Sequence, residues 1–231
     1  MIKILEYDSN LFNYYVAELN LINEINFETL KRELVDKQIK LLYIYPQNES
    51  TKIQLEAQNF KPIDTKVVFE KPVENNNINS NILVQSYSER KYHTELFQLA
   101  KMSGKYSRFR TDCNFTNNEF EKLYYDWINK SIMKQIADDV LINEIENKIA
   151  GFITYKINNE ALTIGLIAVN ETSRKMGIGK SLLEKVNNIA YLNGIKKINV
   201  ATQFENTTAM CFYKKNGFAV IKKQEVYHLW V

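Results

Sequence analysis

The sequence predicts a mixed α/β protein in which a central β-sheet follows a smaller α/β unit. Residues 161–218 have the pattern of an apolar strand, a glycine turn, an amphipathic helix, a second strand and a short helix. Residues 74–81 form an asparagine-rich polar run, which cannot build a core and divides the chain. The 231 residues can form one large domain or two small ones. We therefore predict an N-terminal α/β domain at 1–76 and a larger domain at 77–231.

The N-terminal unit alternates short apolar runs with helical spacing. Residues 27–37 carry apolar side chains at helical intervals, and the apolar run at 41–45 is stopped by Pro46. Asp8, Ser9 and Asn10 offer side-chain oxygens for a turn or a helix cap. The predicted elements are strands at 2–5, 41–45 and 66–70 and helices at 27–37 and 53–59.

The larger unit places a hairpin directly before the strand at 161–169. Residues 140–145 and 149–157 alternate as strands around a turn at 146–148, which predicts an antiparallel pair. Residues 106–115 alternate arginines with aromatics and keep neither a helix nor a strand period, so we predict a loop with a functional task. The other predicted elements are strands at 82–87, 198–202 and 226–231 and helices at 91–100 and 118–133.

The turn at 174–180 opens a helix that ends at Asn193 and Gly194. The first turn of a helix leaves backbone N–H groups without partners, and glycine lets an anion approach them, so we expect a phosphate or pyrophosphate here. The spacing excludes two phosphate-binding motifs. A Walker A loop needs a glycine where Arg174 stands, and a dinucleotide fingerprint needs one where Leu182 stands.

A third motif fits this turn. Arg174-x-x-Gly177-x-Gly179, followed by Asn-x-x-Ala-x-x-Phe-Tyr-x-x-x-Gly-Phe from Asn206 to Phe218, resembles the cofactor motifs of the GCN5-related N-acetyltransferases, or GNAT superfamily. The resemblance implies a central mixed sheet in which two parallel strands, at 161–169 and 198–202, splay apart. It also implies that coenzyme A lies in the opening, where its pantetheine amides bond to one strand as an added strand would.

The resemblance makes acetyl-CoA the cosubstrate and gives the motif residues their roles. Tyr213 stands where the family places its general acid, and a phenol with an ordinary pKa of about 10 is protonated at about pH 7. The alternative is an aromatic side chain beside Phe212 that only fills the core. Asn206 has two open roles, since it can bind the coenzyme or cap the helix that carries Tyr213. Exposed basic residues on such a turn are usually only solvated, although here they would lie near the cofactor phosphates. The residues assigned to the cofactor are Ile167, Val169, Arg174, Lys175, Met176, Gly177, Ile178, Gly179, Lys180 and Asn206.

Within the superfamily the sequence is similar to the TDP-fucosamine acetyltransferase group, which acetylates nucleotide-linked amino-deoxy sugars. The similarity is carried by Asp8-Ser9-x-x-Phe12, by Ser107-Arg108-Phe109-Arg110-x-Asp112 and by an aromatic helix at 120–128. It implies a dTDP-4-amino-4,6-dideoxyhexose as the acceptor. The N-terminal domain would then help to form the acceptor cleft, or make a homodimer contact.

The acceptor would meet the segment at 106–115. Guanidinium groups suit phosphate oxygens, so Arg108 and Arg110 are candidates for the acceptor's diphosphate, while Tyr106 or Phe109 could stack on its base or sugar ring. The alternative for the arginines is a surface loop salt-bridged to Asp112. A basic cleft would suit such a sugar diphosphate, whereas an acidic one would favour a polyamine, an antibiotic or a protein N-terminus.

Composition argues against several other classes. A net charge of +3 with scattered lysines does not predict nucleic-acid binding. The chain has no apolar stretch long enough to cross a bilayer and begins with no signal peptide, so we predict a cytoplasmic protein without membrane insertion. The cysteines and histidines lack metal-ligand spacing, so we predict no metal.

Two questions stay open in the sequence. No motif selects a general base among Glu144, Glu160 and Glu171, and waters could instead carry the proton away. A non-catalytic module that senses coenzyme A is the alternative to an enzyme, and an intact Tyr213 argues against it.

Overall fold

The computed structural model describes residues 2–75, 83–88 and 94–231. The first range contains β1 (Lys3–Ile4), α1 (Glu6–Phe12), β2 (Tyr15–Leu21), α2 (Phe27–Asp36), β3 (Ile39–Pro46), α3 (Glu49–Ala57) and β4 (Asp64–Pro72). The others contain β5 (Gln85–Ser86), α4 (Thr94–Ser103), α5 (Arg108–Thr111), α6 (Glu119–Ile132), β6 (Asp139–Ile145), β7 (Lys148–Ile157), β8 (Ala161–Val169), α7 (Ile178–Leu192), β9 (Lys197–Gln203), α8 (Thr207–Lys215) and β10 (Ala219–Trp230). The predicted boundary at 76/77 and the starts of the elements predicted at 82 and 91 lie outside the described residues.

The strands form one ten-stranded sheet in the order β1-β2-β3-β10-β4-β9-β8-β7-β6-β5. The pairs β2/β3 and β8/β9 are parallel, and the other neighbours are antiparallel. The predicted mixed α/β class is therefore confirmed, and so are β8 and the hairpin of β6 and β7.

Strand β4, from the predicted N-terminal unit, lies between two strands of the larger one. It pairs with β9 from Lys66 opposite Gln203 to Pro72 opposite Lys197, and with the first half of β10 on its other edge. The second half of β10 pairs with β3. The two predicted units thus share a single sheet, and the division at 76/77 stays a prediction.

Helices cover both faces of this sheet. Val67 and Phe69 of β4 are buried with side chains of α7 and α8, whereas Val226 of β10 is buried with side chains of α4 and α6. We call these the α7 face and the α6 face. Because side chains alternate along a strand, Asp64 and Lys66 of β4 lie on the α6 face, as does Val226, the partner of Asp64.

The structure corrects the sequence prediction at the N-terminus. Residues 8–10 lie within α1 instead of a turn, and the unpredicted strand β2 follows directly. The Ser9 hydroxyl joins the two elements, because its Oγ accepts a hydrogen bond from Val16 N at 2.9 Å. The last strand is also longer than predicted, since β10 begins at Ala219.

Candidate active site

Strands β8 and β9 separate partway along their length. Their parallel pairing ends at Ile164 and Val200, whereas β8 continues to pair with β7 as far as Val169. The two strands therefore form a V that opens toward their carboxyl ends. The predicted splay is confirmed.

The backbone groups of Ile167 and Val169 face this opening. Leu166 N donates to Thr154 Oγ1 at 2.8 Å and Asn170 N donates to Ala150 O at 2.8 Å, so both N–H groups point toward β7. Successive residues of a strand direct their polar backbone groups to alternate edges. The intervening groups of Ile167 and Val169 are thus available to an extended ligand lying in the gap.

A β-bulge bends β8 where the gap begins. Ile153 pairs with Ile167 but Tyr155 pairs with Ile164, so Thr154 of β7 faces both Gly165 and Leu166. A Cβ on Gly165 would lie 2.8 Å from Thr154 Oγ1, which explains why glycine stands there. A bulge increases local bending and twist, and this accounts for the departure of β8 from β9.

We expect Thr154→Val to lower the free energy of unfolding by about 1–3 kcal/mol, because the Leu166 N–H group would lose its acceptor in a buried position. Urea denaturation measures the change. Thr154→Ser keeps the hydroxyl and should be affected less. Equal stability of the valine variant and the wild type would contradict this account of the bulge.

The loop between β8 and α7 presents a row of unpaired N–H groups. Asn170 Oδ1 accepts from Thr172 N at 3.2 Å and begins a single 3-10 turn at Glu171–Ser173. Lys175 and Gly177 then take positive φ angles of 65° and 85°, which turn the chain into α7. Across this described loop and helix start, the N–H groups of residues 175–180 donate no hydrogen bond within the chain. Together with the helix dipole these groups are suited to an anion, and the binding of the cofactor phosphates here stays a prediction.

The basic side chains of this loop are exposed, and Arg174 and Lys180 each form an ion pair with a nearby glutamate. Arg174 lies 3.3 Å from Glu171, and Lys180 lies 3.6 Å from Glu184. Exposed pairs of this kind contribute little to stability and can exchange partners at small cost. The backbone, more than the charges, therefore defines the anion site.

Two glycines allow α7 to start close to its neighbours. A Cβ on Gly179 would lie 3.1 Å from the Phe212 ring of α8, and one on Gly151 would lie 2.9 Å from Ile178 Cγ2. Ile178 is buried, whereas Met176 is exposed. The helix start is thus packed tightly against both β7 and α8.

Asn206 and Tyr213 are positioned by α8. Asn206 Oδ1 accepts from Ala209 N at 3.1 Å, so this side chain caps the helix, and a contact with the coenzyme stays a prediction. Tyr213 is 3% exposed, and its ring packs against Phe69, Phe212 and Phe218. Burial raises the pKa of Tyr213 above its ordinary value, so the phenol remains protonated.

Arg108 lies on the α6 face, where it interacts electrostatically with Asp8 and Asp64 but forms no salt bridge with any described residue. Its guanidinium carbon is 4.6 Å from the centroid of the Tyr43 ring and 4.5 Å from that of Phe109. Its Nε is buried and has no hydrogen-bond partner in the described parts of the chain. A partly buried guanidinium stacked on rings, with an unused donor, is suited to bind an anion.

The alternative of a surface loop salt-bridged to Asp112 is wrong. Asp112 is buried, lies 2.6 Å from His228 Nδ1 and accepts from Trp230 Nε1 at 2.8 Å and from Asn114 N at 3.0 Å. Burial opposes ionisation of Asp112, but the bonds from His228, Asn114 and Trp230 outweigh it and lower its pKa to about 2. Asp112 thus joins the end of α5 to β10 and does not pair with Arg108.

The other predicted acceptor residues occupy three different environments. Phe109 is buried among aromatic rings, Arg110 is exposed over the ring of Phe120, and Tyr106 is partly exposed. The segment includes the short helix α5 instead of forming only a loop. Of the two arginines, Arg108 is the one that shares the α6 face with β4, and contacts of all four residues with an acceptor stay predictions.

Asp64 and Lys66 form a polar floor beside Arg108 that sequence reasoning missed. Burial raises the pKa of Asp64 to about 6, against an opposing effect of Arg108. Desolvation lowers the pKa of Lys66, and Arg108 and Lys222 lower it further. No motif marks these residues, because β4 reaches the splayed strands only through pairing between distant parts of the chain.

The three glutamates considered as bases lie elsewhere. Glu144 is exposed on β6, Glu160 precedes the paired end of β8, and Glu171 is ion-paired in the loop.

Within the described ranges no cluster of histidine, cysteine or acidic side chains could hold a metal ion. No helix in these ranges has the length and apolar character to span a bilayer.

Comparison with known proteins matches part of the chain to a known family. Residues 105–218 match the Acetyltransferase (GNAT) family. The uncharacterized N-acetyltransferase MJ1207 of Methanocaldococcus jannaschii is 30% identical over 125 residues, which are 48% of this chain and 54% of that protein. The chain spans about half the length of the curated relatives it matches.

Solved structures share the fold over nearly the whole chain. A GCN5-related N-acetyltransferase from Sphaerobacter thermophilus is 12% identical with a TM-score of 0.67, covering 99% of this chain and 76% of that one. The PaiA N-acetyltransferase from Thermoplasma acidophilum, in complex with coenzyme A, is 19% identical with a TM-score of 0.50, covering 66% of this chain and 100% of that one.

Residues 105–218 are thus similar to the GNAT family, whose enzymes use acetyl-CoA, and the solved structures show that the chain has the GNAT fold.

Proposed function

We propose that this protein transfers the acetyl group of acetyl-CoA to the amine of a nucleotide-linked amino-deoxy sugar of the dTDP-4-amino-4,6-dideoxyhexose type. The observation that carries the acetyl-CoA part is the combination of the V between β8 and β9 with the free N–H groups at 175–180. The observation that favours this acceptor is the unpaired Arg108 on the opposite face.

The residues present suit acetyl-CoA in two separate ways. The diphosphate would be bound by N–H groups at the start of α7, where a helix dipole favours negative charge. The pantetheine amides would bond to the exposed edge of β8 at Ile167 and Val169, as an added strand does. An empty structural fold would need neither feature.

The case for an acceptor that carries phosphate rests on Arg108 and not on the net charge of the α6 face. The surroundings of this floor are mixed, with Arg108, Lys66 and Lys222 beside Asp64, Asp8 and Glu18. A guanidinium that makes no ion pair offers forked donors to phosphate oxygens. The N-terminal part supplies Tyr43 and Asp64 to this face, which fits a role in forming the acceptor cleft.

The chemistry requires a neutral amine, donors near the carbonyl oxygen and a proton for the thiolate. The amine nitrogen bonds to the carbonyl carbon, the carbon–sulfur bond breaks, and the sulfur leaves with its electron pair. One amine proton is lost to a base, and the thiolate gains one to become the thiol. Tyr213, held protonated by burial on the α7 face, is the donor toward sulfur. No covalent enzyme intermediate is needed.

The test follows thiol release from acetyl-CoA against dTDP-4-amino-4,6-dideoxygalactose, the corresponding UDP-sugar, spermidine and an N-terminal peptide. We expect turnover of an amino sugar nucleotide. We also expect Arg108→Gln to raise its KM by about 10-fold or more, as loss of one charged hydrogen-bonding partner does. Arg32→Gln, an exposed arginine on α2, is the matched control.

Turnover of spermidine or the peptide, without turnover of either nucleotide sugar, would contradict the acceptor class. Binding of coenzyme A without turnover of any amine would instead favour a sensor. The homodimer predicted from sequence is checked on the same samples by light scattering.

A further inference from the structure

Asp64 occupies a defined place at the open end of the V. Its neighbour Thr65 accepts a hydrogen bond through its carbonyl from Phe204 N at 2.8 Å, and Lys66 pairs with Gln203 at the end of β9. The alternation along β4 directs the Asp64 side chain to the α6 face, opposite Phe69 and Tyr213. The carboxyl group is thus next to the mouth of the gap, on the face away from α7.

Charged and titratable groups from several elements surround this carboxyl. Arg108 of α5, Lys66 of β4, Tyr124 of α6 and Tyr45 of β3 are each close enough to interact with it electrostatically. Lys222 of β10 acts on the neighbouring Lys66. Within the described chain Asp64 forms no ion pair, and its one stabilising hydrogen bond comes from the backbone of Thr65.

A comparison of the half-buried Asp64 with the buried Asp112 separates two uses of a carboxylate. Asp112 is held by His228, Trp230 and Asn114, and those bonds keep it ionised. Asp64 lies in a desolvated position without such bonds, so its charged form is disfavoured and its pKa rises to about 6. A structural carboxylate is expected to resemble Asp112. A group that gains and loses a proton near neutral pH is expected to resemble Asp64.

We propose that Asp64 is the general base, which accepts the proton from the acceptor amine as its nitrogen bonds to the acetyl carbon. The proposal rests on the proposed acetyl transfer but not on the identity of the acceptor. Asp64 begins the step as a carboxylate and ends it as a carboxylic acid, and it returns the proton to solvent before the next turnover. Arg108 beside it orients the anionic part of the acceptor, so the two side chains would recognise an acceptor that carries both an amine and a phosphate.

The test compares Asp64→Asn, Asp64→Glu and the exposed control Asp36→Asn with dTDP-4-amino-4,6-dideoxygalactose and with spermidine as acceptors. We expect Asp64→Asn to lower kcat by about 100-fold at about pH 7, with the KM for acetyl-CoA unchanged. The deficit should shrink below about pH 6, where Asp64 of the wild type is itself protonated and no longer acts as a base. Asp64→Glu keeps a carboxylate and should recover part of the rate.

Thermal stability provides a readout that a structural role would not share. The pKa of Asp64 is raised in the folded state, so the folded state binds its proton more tightly and stability falls as pH rises from about 4 through 6. Removal of the charge should therefore leave the melting temperature of Asp64→Asn at or above that of the wild type at about pH 8. A structural carboxylate would instead lower it on replacement.

The outcomes distinguish this proposal from the proposed function. Three results would overturn the role of Asp64 and leave the acceptor class intact. They are normal turnover of the amino sugar by Asp64→Asn, a loss of kcat that is constant with pH, and a loss of kcat accompanied by a lower melting temperature. Turnover of spermidine alone, with the pH-dependent deficit present, would overturn the acceptor class and support Asp64. A wild-type protein that acetylates none of the amines would overturn both.

Discussion

Tyr213→Phe is expected to lower kcat by about 100-fold or more while the KM for acetyl-CoA stays close to the wild-type value. The hydroxyl is removed without loss of the ring, which packs against Phe69, Phe212 and Phe218. No hydrogen bond to the described chain is lost, so stability should change by less than about 0.5 kcal/mol. Steady-state kinetics and urea denaturation measure both quantities.

The pH dependence follows from burial of the phenol. A raised pKa keeps Tyr213 protonated, so wild-type activity should not decline between about pH 8 and 10 through loss of this proton. A departing thiol has an ordinary pKa of about 8.5, so complete proton transfer from Tyr213 is uphill and a hydrogen bond to the developing thiolate supplies much of its effect.

Tyr155→Phe is the matched control for this prediction. Tyr155 is a buried tyrosine of the same core cluster, placed on β7, and its variant should keep normal kcat. Full activity of Tyr213→Phe across the pH range would remove Tyr213 from the chemistry. An equal loss in both variants would indicate a packing effect.

The sequence predicted the cofactor half of the site well because its signals are local. The strand β8, the turn with Gly177 and the helix α7 are consecutive, so their spacing alone defines the element order. The bulge opposite Thr154 has one signal in the sequence, the isolated Gly165, because a glycine inside a strand often marks a bulge. The alternation of Ala17, Leu19 and Leu21 is itself a local signal for β2.

The acceptor half was predicted less well because it depends on long-range pairing. Asp64 reaches the mouth of the V only because β4 enters the sheet between β9 and β10. The pairing of Asp112 with His228 and Trp230 likewise joins residues far apart in the chain. Proximity in the sequence suggested Arg108 or Arg110 as its partner only as the alternative to phosphate binding. Opposite charges that are close in the sequence need not form an ion pair. Here Asp112 is instead bonded to side chains of β10.

Gly177→Val is expected to weaken coenzyme A binding by about 100-fold or more, since two charge-assisted hydrogen bonds of about 1.5–3 kcal/mol each would be lost. Gly177 has a φ of 85°, a conformation that a β-branched residue avoids, so the backbone would rotate and turn the nearby N–H groups away from the anion. Isothermal titration calorimetry with coenzyme A measures the dissociation constant.

Gly194→Val controls for the backbone strain itself. Gly194 also has a positive φ, 70°, and lies beyond the other end of α7, with open space where a Cβ would stand. Both variants should lose about 1–3 kcal/mol of stability from strain. If the N–H groups at 175–180 hold the diphosphate, only the first should lose affinity, because Gly194 is separated from them by the whole helix. Comparable affinity in the two variants would mean that the phosphates bind elsewhere, and the unpaired N–H groups would then need a different explanation.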